Sequence, residues 1–225
     1  MKKFISVMVL SVFLTLTTMA MASQVTFIDG YGPYQTGLGG EFTLAPSADL
    51  SWVLGNYVPG KSSLVGTATF QTFCLEVSEH VYANATYNAA INTNAITGGV
   101  GLAGDPISIG TAYLYSEFAK GTLVNYAFNG TEAEREASAA LLQNAIWYLE
   151  GEGGAANSYY NLVNNKFGNA FADNNGAYNV AVLNLTDANG GFAQDVLVAT
   201  PIPTALWLLG TGLLGLVGLR RKFKA

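Results

Sequence analysis

The sequence predicts an α+β domain, a β-sandwich or barrel with a helical insertion, between two short apolar ends. Short stretches of alternating apolar and polar residues lie at the beginning and end of the body, which is the pattern of half-buried strands. The middle of the body instead has apolar residues at helical spacing and a helix-capping motif. Strands followed by helices and again by strands are typical of α+β proteins. The 225 residues suffice for one domain with a sizeable core.

The N-terminal end, residues 1–22, has the pattern of a secretory signal peptide. Lys2 and Lys3 form a positive start, an apolar stretch follows, and a final Ala-Met-Ala fits a signal peptidase site. An uncleaved membrane anchor is the alternative, but the apolar stretch is short for a span and ends in small residues. We therefore expect an exported chain whose body comprises residues 23–200.

Several strands are predicted in the body. Their alternating patterns are separated by turn-forming groups rich in Gly, Asn, Asp and Pro. The predicted strands include residues 24–28, 41–44, 50–54, 64–77, 178–185 and 194–199.

Three helices are predicted between these groups of strands. Residues 108–120 and, more weakly, residues 156–167 have apolar residues at helical spacing. The second helix begins with a capping box, in which Thr131 caps the amide of Glu134 and the Glu134 carboxylate reaches back. We expect this helix to end at Gly151.

The C-terminal end combines a Pro-x-Pro motif, an apolar stretch and a basic cluster. Pro201 and Pro203 form the motif, residues 205–219 are apolar or small, and Arg220 and Arg221 begin the cluster. We expect residues 205–219 to form a transmembrane helix, although they are fewer than the roughly 20 residues that cross a bilayer comfortably. The basic cluster is expected to stay on the cytoplasmic side.

Residues 201–225 resemble the PEP-CTERM sorting signal, in which prolines precede an apolar helix and a terminal Arg/Lys cluster. Ile202 stands where the usual motif has Glu. The resemblance implies transient contact with the inner membrane and processing by an exosortase-like enzyme. It also implies a final location in the cell envelope or on the extracellular surface of a Gram-negative bacterium. A plain C-terminal membrane anchor is the alternative, and it too leaves the body outside the inner membrane.

Charge and composition exclude several classes of function. The whole chain has a net charge of −5, but the body holds four basic and all fifteen acidic residues and has a net charge of −11. An acidic body without a basic patch argues against nucleic acid as a partner. One Cys and one His exclude a disulfide framework, Cys-rich metal sites and multi-His zinc sites. We expect no metal and no cofactor.

Cys74 is the single cysteine of a chain that we expect to be exported, where an exposed thiol would oxidise. One interpretation is a small buried apolar residue. Another is a Cys–His pair with His80 in a hydrolase, although six residues along a strand span about 20 Å. A third interpretation depends on Gln143, an uncharged polar residue in a largely apolar stretch of the second helix.

Two segments resemble the thioester domains of bacterial surface adhesins: Phe-Cys-Leu-Glu at residues 73–76 and Gln-Asn-Ala-Ile-Trp at residues 143–147. In that family the Cys thiol and the Gln carboxamide condense, release ammonia and leave an internal thioester. The resemblance covers mainly residues 70–150 and implies a bond between Cys74 and Gln143. The residues that would flank this bond are Phe73, Leu75, Glu76, Ala145, Ile146 and Trp147.

The residue types fit this chemistry. A carboxamide is a poor electrophile and a thiol is mostly protonated, so condensation requires that the fold hold both groups in contact and exclude water. Gln143 and Trp147 are four residues apart on one helix, so the indole can shield the bond. Glu76 shares a strand face with Cys74, where it can assist proton transfer or serve a structural role.

We therefore expect an exported surface or biofilm-matrix adhesin that binds its partner covalently. An amine or hydroxyl of the partner, a surface protein or a polysaccharide, attacks the thioester. Each molecule reacts once, so we expect no enzymatic turnover. The alternative is a non-covalent structural or carbohydrate-binding matrix protein in which Cys74 is a buried bystander.

Overall fold

The computed structural model describes residues 23–28, 35–36, 39–96 and 104–201. The segments expected to be a signal peptide and a sorting signal, with Pro203, Arg220 and Arg221, lie outside these ranges and stay predictions. Pro201 is the last described residue and is exposed. Within the described ranges, no helix combines the length and the apolar character that a membrane span requires.

An antiparallel sheet is the framework of the body. The strands among the described residues are β1 (Gln24–Phe27), β2 (Gln35–Thr36), β3 (Gly39–Gly40), β4 (Phe42–Pro46), β5 (Phe70–Thr72), β6 (Thr86–Asn92), β7 (Asn94–Ala95), β8 (Asp105–Pro106), β9 (Val180–Thr186) and β10 (Phe192–Ala199). Six of them form one curled half-barrel in the spatial order β10-β9-β6-β1-β4-β5. The short pairs β2–β3 and β7–β8 form two separate hairpin-like units.

The burial of the strand side chains matches the pattern of apolar and polar residues in the sequence. In β1, Val25 and Phe27 are buried and the intervening Thr26 is partly exposed, as alternation along a strand requires. Apolar residues occupy most positions of β9 and β10, and both strands are buried at nearly every position. These two strands therefore lie where both faces of the sheet are covered.

The segment that follows β5 joins the two edges of the sheet. Cys74 forms an isolated antiparallel bridge with Val196 of β10. On either side of it, the Leu75 amide donates to the carbonyl of Asp195 at 3.0 Å, and the Leu197 amide donates to the carbonyl of Phe73 at 3.2 Å. The edge strands β5 and β10 are thereby linked, and Cys74 lies at the junction.

The helical middle predicted from the sequence is confirmed. Its helices are α1 (Ile109–Ala119), α2 (Glu132–Leu149) and α3 (Ser158–Phe167). The capping box of α2 is present, because the Thr131 hydroxyl accepts from the Glu134 amide and the Glu134 carboxylate accepts from the Thr131 amide at 2.7 Å. α2 packs against α1, α3 and the β2–β3 hairpin. The α+β class is therefore correct.

Two of the predicted strands were wrong in kind or length. Residues 50–54 belong to a 3-10 helix, Ala48–Asn56, which buries Leu50 and Val53 at a spacing of three residues. Within residues 64–77 only β5 is a regular strand, because turns occupy residues 65–68 and the chain bends after Cys74. β6 was not predicted, since its Asn and Ala residues have low strand propensity.

Candidate functional site

Cys74 is 2% exposed, at the junction between β5 and β10. Burial raises the pKa of its thiol well above the ordinary value, and the charge of Glu76 raises it further. The thiol is therefore protonated at neutral pH and sheltered from oxidants. His80, the residue considered as a partner for Cys74, is exposed.

Gln143 lies against the backbone of Cys74, although 69 positions separate the two residues. The Cys74 amide donates to Oε1 of Gln143 at 3.0 Å, and Nε2 of Gln143 donates to the Cys74 carbonyl at 2.8 Å. The Gln143 side chain is 1% exposed. Two reciprocal hydrogen bonds thus fix the plane of the carboxamide beside the cysteine.

A second backbone amide also reaches the Gln143 carboxamide. The amide of Gly40, in β3, donates to Oε1 of Gln143 at 3.4 Å. The carbonyl oxygen therefore accepts from Gly40 and Cys74 together, and two N–H dipoles polarise the C=O bond. Sequence reasoning did not find Gly40, because a backbone donor leaves no side-chain signature.

The β2–β3 hairpin approaches the site closely because Gly39 has no side chain. A Cβ built on Gly39 would lie 2.6 Å from Cγ of Gln143 and 2.5 Å from Cη2 of Trp147. Real Cβ atoms do not make such contacts, so only glycine permits this approach. The hairpin and the indole together cover the carboxamide.

A buried ion pair positions this hairpin on α2. Arg135, two turns before Gln143, donates from Nε and Nη2 to the carboxylate of Glu41 at 2.8 and 2.9 Å. Glu41 directly follows Gly40 in the chain. The bidentate pair therefore ties the Gly40 amide to the same helix that carries Gln143.

The flanking residues predicted from the two segments have different roles. Phe73, Leu75, Ala145 and Ile146 are buried in the hydrophobic core. Phe73, for example, packs edge-on against the ring of Phe118 at a centroid distance of 5.0 Å. The segment that carries Cys74 and the helix that carries Gln143 therefore share one hydrophobic core.

Trp147 is half-buried, and its Nε1–H group is buried without a hydrogen-bond partner among the described residues. A buried unpaired N–H group is rare in native structures. The indole contributes apolar cover over Gln143 and one unused donor in the same region.

Glu76 is 2% exposed and lies in an acidic neighbourhood. Burial, followed by the charge of Asp195, raises the pKa of Glu76 to about 9. Burial likewise raises the pKa of Asp195 to about 6. At neutral pH Glu76 is therefore a neutral acid, whereas Asp195 is mostly ionised.

Within the described part of the chain, no group of three His, Cys, Asp or Glu side chains could hold a metal ion. The described site residues offer a thiol, a polarised carboxamide and a neutral carboxyl group. Comparison with known proteins finds no matching family model, no similar curated protein and no similar solved structure.

Proposed function

We propose that the protein is an exported surface or matrix adhesin that attaches covalently to its partner through a Cys74–Gln143 thioester. The observation that carries this proposal is the pair of reciprocal hydrogen bonds between the Gln143 carboxamide and the Cys74 backbone. They hold the carboxamide against the backbone of the residue that carries the thiol, within a buried site, and this supports condensation, which requires that the two groups meet and that water be excluded.

The thioester would form by attack of Sγ of Cys74 on Cδ of Gln143. The Cδ–Nε2 bond breaks, the nitrogen leaves as ammonia, and the thiol proton is taken up by the departing nitrogen. Negative charge develops on Oε1 during the attack, where the amides of Cys74 and Gly40 already donate. They would act as an oxyanion hole, which typically contributes about 3–4 kcal/mol per donor.

Attachment would follow when an amine or hydroxyl of the partner attacks Cδ. The Cδ–Sγ bond breaks, the Cys74 thiol is restored, and Gln143 becomes an amide or ester link to the partner. The residue is consumed, so each molecule reacts once and the protein is not a catalyst. A surface protein or a polysaccharide supplies such nucleophiles; nucleic acid is not expected as a partner for an acidic body.

The contacts of the described lysines support attachment to another molecule over self-reaction. Nζ of Lys61 donates to the Gly121 carbonyl at 2.9 Å, and Nζ of Lys120 pairs with Glu117 at 3.1 Å. Nζ of Lys166 lies 4.8 Å above the ring of Tyr113. The amines with described contacts thus have other interaction partners.

The expected ends of the chain complete the proposal. A signal peptide at residues 1–22 would export the body, and the sorting signal at residues 201–225 would direct it to the envelope. We interpret the curled sheet, linked through Cys74, as a barrel with the helices inserted between β8 and β9. Such a body would stand outside the inner membrane, where partners on other surfaces are accessible.

Intact-mass spectrometry tests the proposal. The purified protein is expected to be lighter than its sequence by one ammonia, and Cys74→Ala and Gln143→Met should restore the full mass. Asn144→Ala is the matched control, because the amide of this neighbouring residue donates to the Ala140 carbonyl of its own helix, and this variant should keep the deficit. Methylamine should then release one alkylatable thiol per molecule. A full sequence mass in the folded wild-type protein would overturn the proposal.

A second candidate, non-covalent carbohydrate binding, is favoured by one surface feature. Tyr148, Tyr160 and Phe171 form a cluster with centroid distances of 4.9 to 5.7 Å, and Phe171 is 44% exposed. Exposed aromatic rings with polar tips are common in recognition surfaces. Polysaccharide binding that survives Cys74→Ala but is lost in Phe171→Ala would support this candidate.

A further inference from the structure

Glu76 is a buried acid whose two oxygens have unequal surroundings. Oε2 accepts a hydrogen bond from Nε2 of Gln194 at 2.9 Å and another from the Asp195 amide at 3.2 Å. Oε1 is buried and has no hydrogen-bond partner among the described residues. Leaving a buried carboxyl oxygen unpaired costs stability, so a purely structural role does not account for Glu76.

The hydrogen bonds identify which oxygen carries the proton. Burial and the charges of Asp195, Glu79 and Glu152 keep Glu76 neutral by raising its pKa to about 9. Oε2 acts as the acceptor in two N–H bonds, so the proton of the neutral acid belongs on Oε1. Glu76 therefore presents an O–H group to which the described residues offer no acceptor.

Glu76 belongs to the same segment as Cys74 and is fixed by the same neighbour on β10. Glu76 is two residues from Cys74, and the charge that Glu76 carries when ionised helps to raise the pKa of the thiol. Asp195 fixes the segment between them, because its carbonyl accepts from the Leu75 amide while its own amide donates to Glu76.

The site also needs a proton donor. The pKa of Cys74 is raised well above its ordinary value, so this sulfur is a poor leaving group as a free thiolate. The departing nitrogen of Gln143 likewise leaves only as neutral ammonia. A neutral acid in the same segment as Cys74 can serve both departures.

We infer that Glu76 is the proton-transfer group of the thioester chemistry, an inference that rests on the function proposed above. During formation, the thiol proton passes to Glu76 while the proton on Oε1 passes to the departing nitrogen, which leaves as ammonia. During opening, the Cδ–Sγ bond breaks and Sγ takes the proton from Oε1. The surplus proton of the attacking nucleophile then returns to Glu76, so the acid is regenerated in both steps.

Glu76→Gln is the test variant, because glutamine keeps the shape, the neutrality and the acceptor oxygen for Gln194 and Asp195 but cannot exchange this proton. Glu150→Gln is the matched control, since Glu150 is a buried acid with a raised pKa that accepts from the Ser108 hydroxyl at 2.8 Å instead. Ammonia release after refolding and thiol release by hydroxylamine are both measured. Glu76→Gln is expected to slow at least one of these rates roughly 100-fold or more. Glu150→Gln is expected to leave both rates unchanged.

The wild-type protein supplies an independent measurement if Glu76→Gln fails to fold. Hydroxylamine is a free base from neutral pH upward, so its own reactivity does not change in this range. A change with pH in the rate at which it releases the thiol therefore reports the titration of Glu76. This rate is expected to fall as the pH rises through about 9, where Glu76 loses its proton. Unchanged rates in Glu76→Gln, or a wild-type rate without this fall, would overturn the inference. A wild-type protein that never loses ammonia would instead overturn the proposed function.

Discussion

Gly39 lies against the indole ring of Trp147 so closely that a Cβ on its backbone would stand 2.5 Å from Cη2. The same Cβ would stand 2.6 Å from Cγ of Gln143. One glycine therefore lets the β2–β3 hairpin reach both the proposed acyl group and the ring that covers it. The hairpin also brings the Gly40 amide to Oε1 of Gln143.

Gly39→Ala is expected to destabilise the protein by about 1–3 kcal/mol, because the methyl group forces the hairpin away from α2. Equilibrium unfolding in denaturant measures the loss. Gly55→Ala is the matched control, since a Cβ at Gly55 meets nothing within 4 Å. We expect its effect to stay within about 0.5 kcal/mol. Equal losses in the two variants would contradict the close approach at Gly39.

Trp147→Ala is expected to expose the thioester to water. Hydrolysis would convert Gln143 to Glu and restore the Cys74 thiol, so the ammonia deficit should disappear within the lifetime of the preparation. Trp52→Ala is the control, because Trp52 is 46% exposed and lies on the 3-10 helix. Time-resolved intact mass compares the two variants. A thioester equally long-lived in both would show that Trp147 does not exclude water.

Glu41→Gln is expected to lower the free energy of unfolding by about 3–5 kcal/mol, because it removes the carboxylate that pairs with the buried Arg135 guanidinium. Lys120→Met breaks the ion pair with Glu117, in which the lysine side chain is 57% exposed. Its expected cost is below about 1 kcal/mol. Denaturant unfolding of the two variants distinguishes a buried ion pair from a surface one. Similar small losses in both would contradict an anchoring role for Arg135.

Glu150 is expected to make stability depend on pH. Burial raises its pKa to about 7, so the folded state binds the proton more tightly than the unfolded state does. Its contribution is fully present below the unfolded pKa near 4.5 and is lost as the pH rises through about 7. Glu150→Gln removes this dependence. The stability of the variant relative to wild type should therefore rise by roughly 3 kcal/mol from about pH 4 to pH 8.

The unfolding free energies of both proteins, measured across that range, give the difference directly. Glu76 and Asp195 titrate in both proteins, so their contributions cancel in the comparison. A constant difference between wild type and Glu150→Gln would mean that folding does not raise the pKa of Glu150.

The sequence predicted the parts of the site that depend on local signals. The capping box at Thr131 and Glu134 fixed the start of α2, and the helical pattern then placed Gln143 and Trp147 on it. The contact between Gln143 and Cys74 was expected from a resemblance, since nothing local connects residues 69 positions apart.

Other features of the site depend on long-range pairing and could not be predicted. The Gly40 amide is a backbone donor, which no side-chain pattern reveals. Position 39 requires glycine because side chains of α2, about a hundred residues later in the chain, pack directly against it. The partners of Glu76 come from β10. Residues 50–54 were misassigned because apolar residues three apart also suit a 3-10 turn, which periodicity in so short a stretch does not distinguish from a strand.

The bridge between Cys74 and β10 has a consequence for the order of events during biogenesis. Val196 pairs with Cys74, and the residues on either side of Val196 form backbone hydrogen bonds with the two neighbours of Cys74. Gln194 donates a hydrogen bond to Glu76. These partners are among the last residues of the body to be synthesised. A chain that is still emerging contains both Cys74 and Gln143 but lacks the strand that holds this segment. Formation of the proposed thioester would thus wait until the domain is whole, and an incomplete chain would be protected from premature acylation.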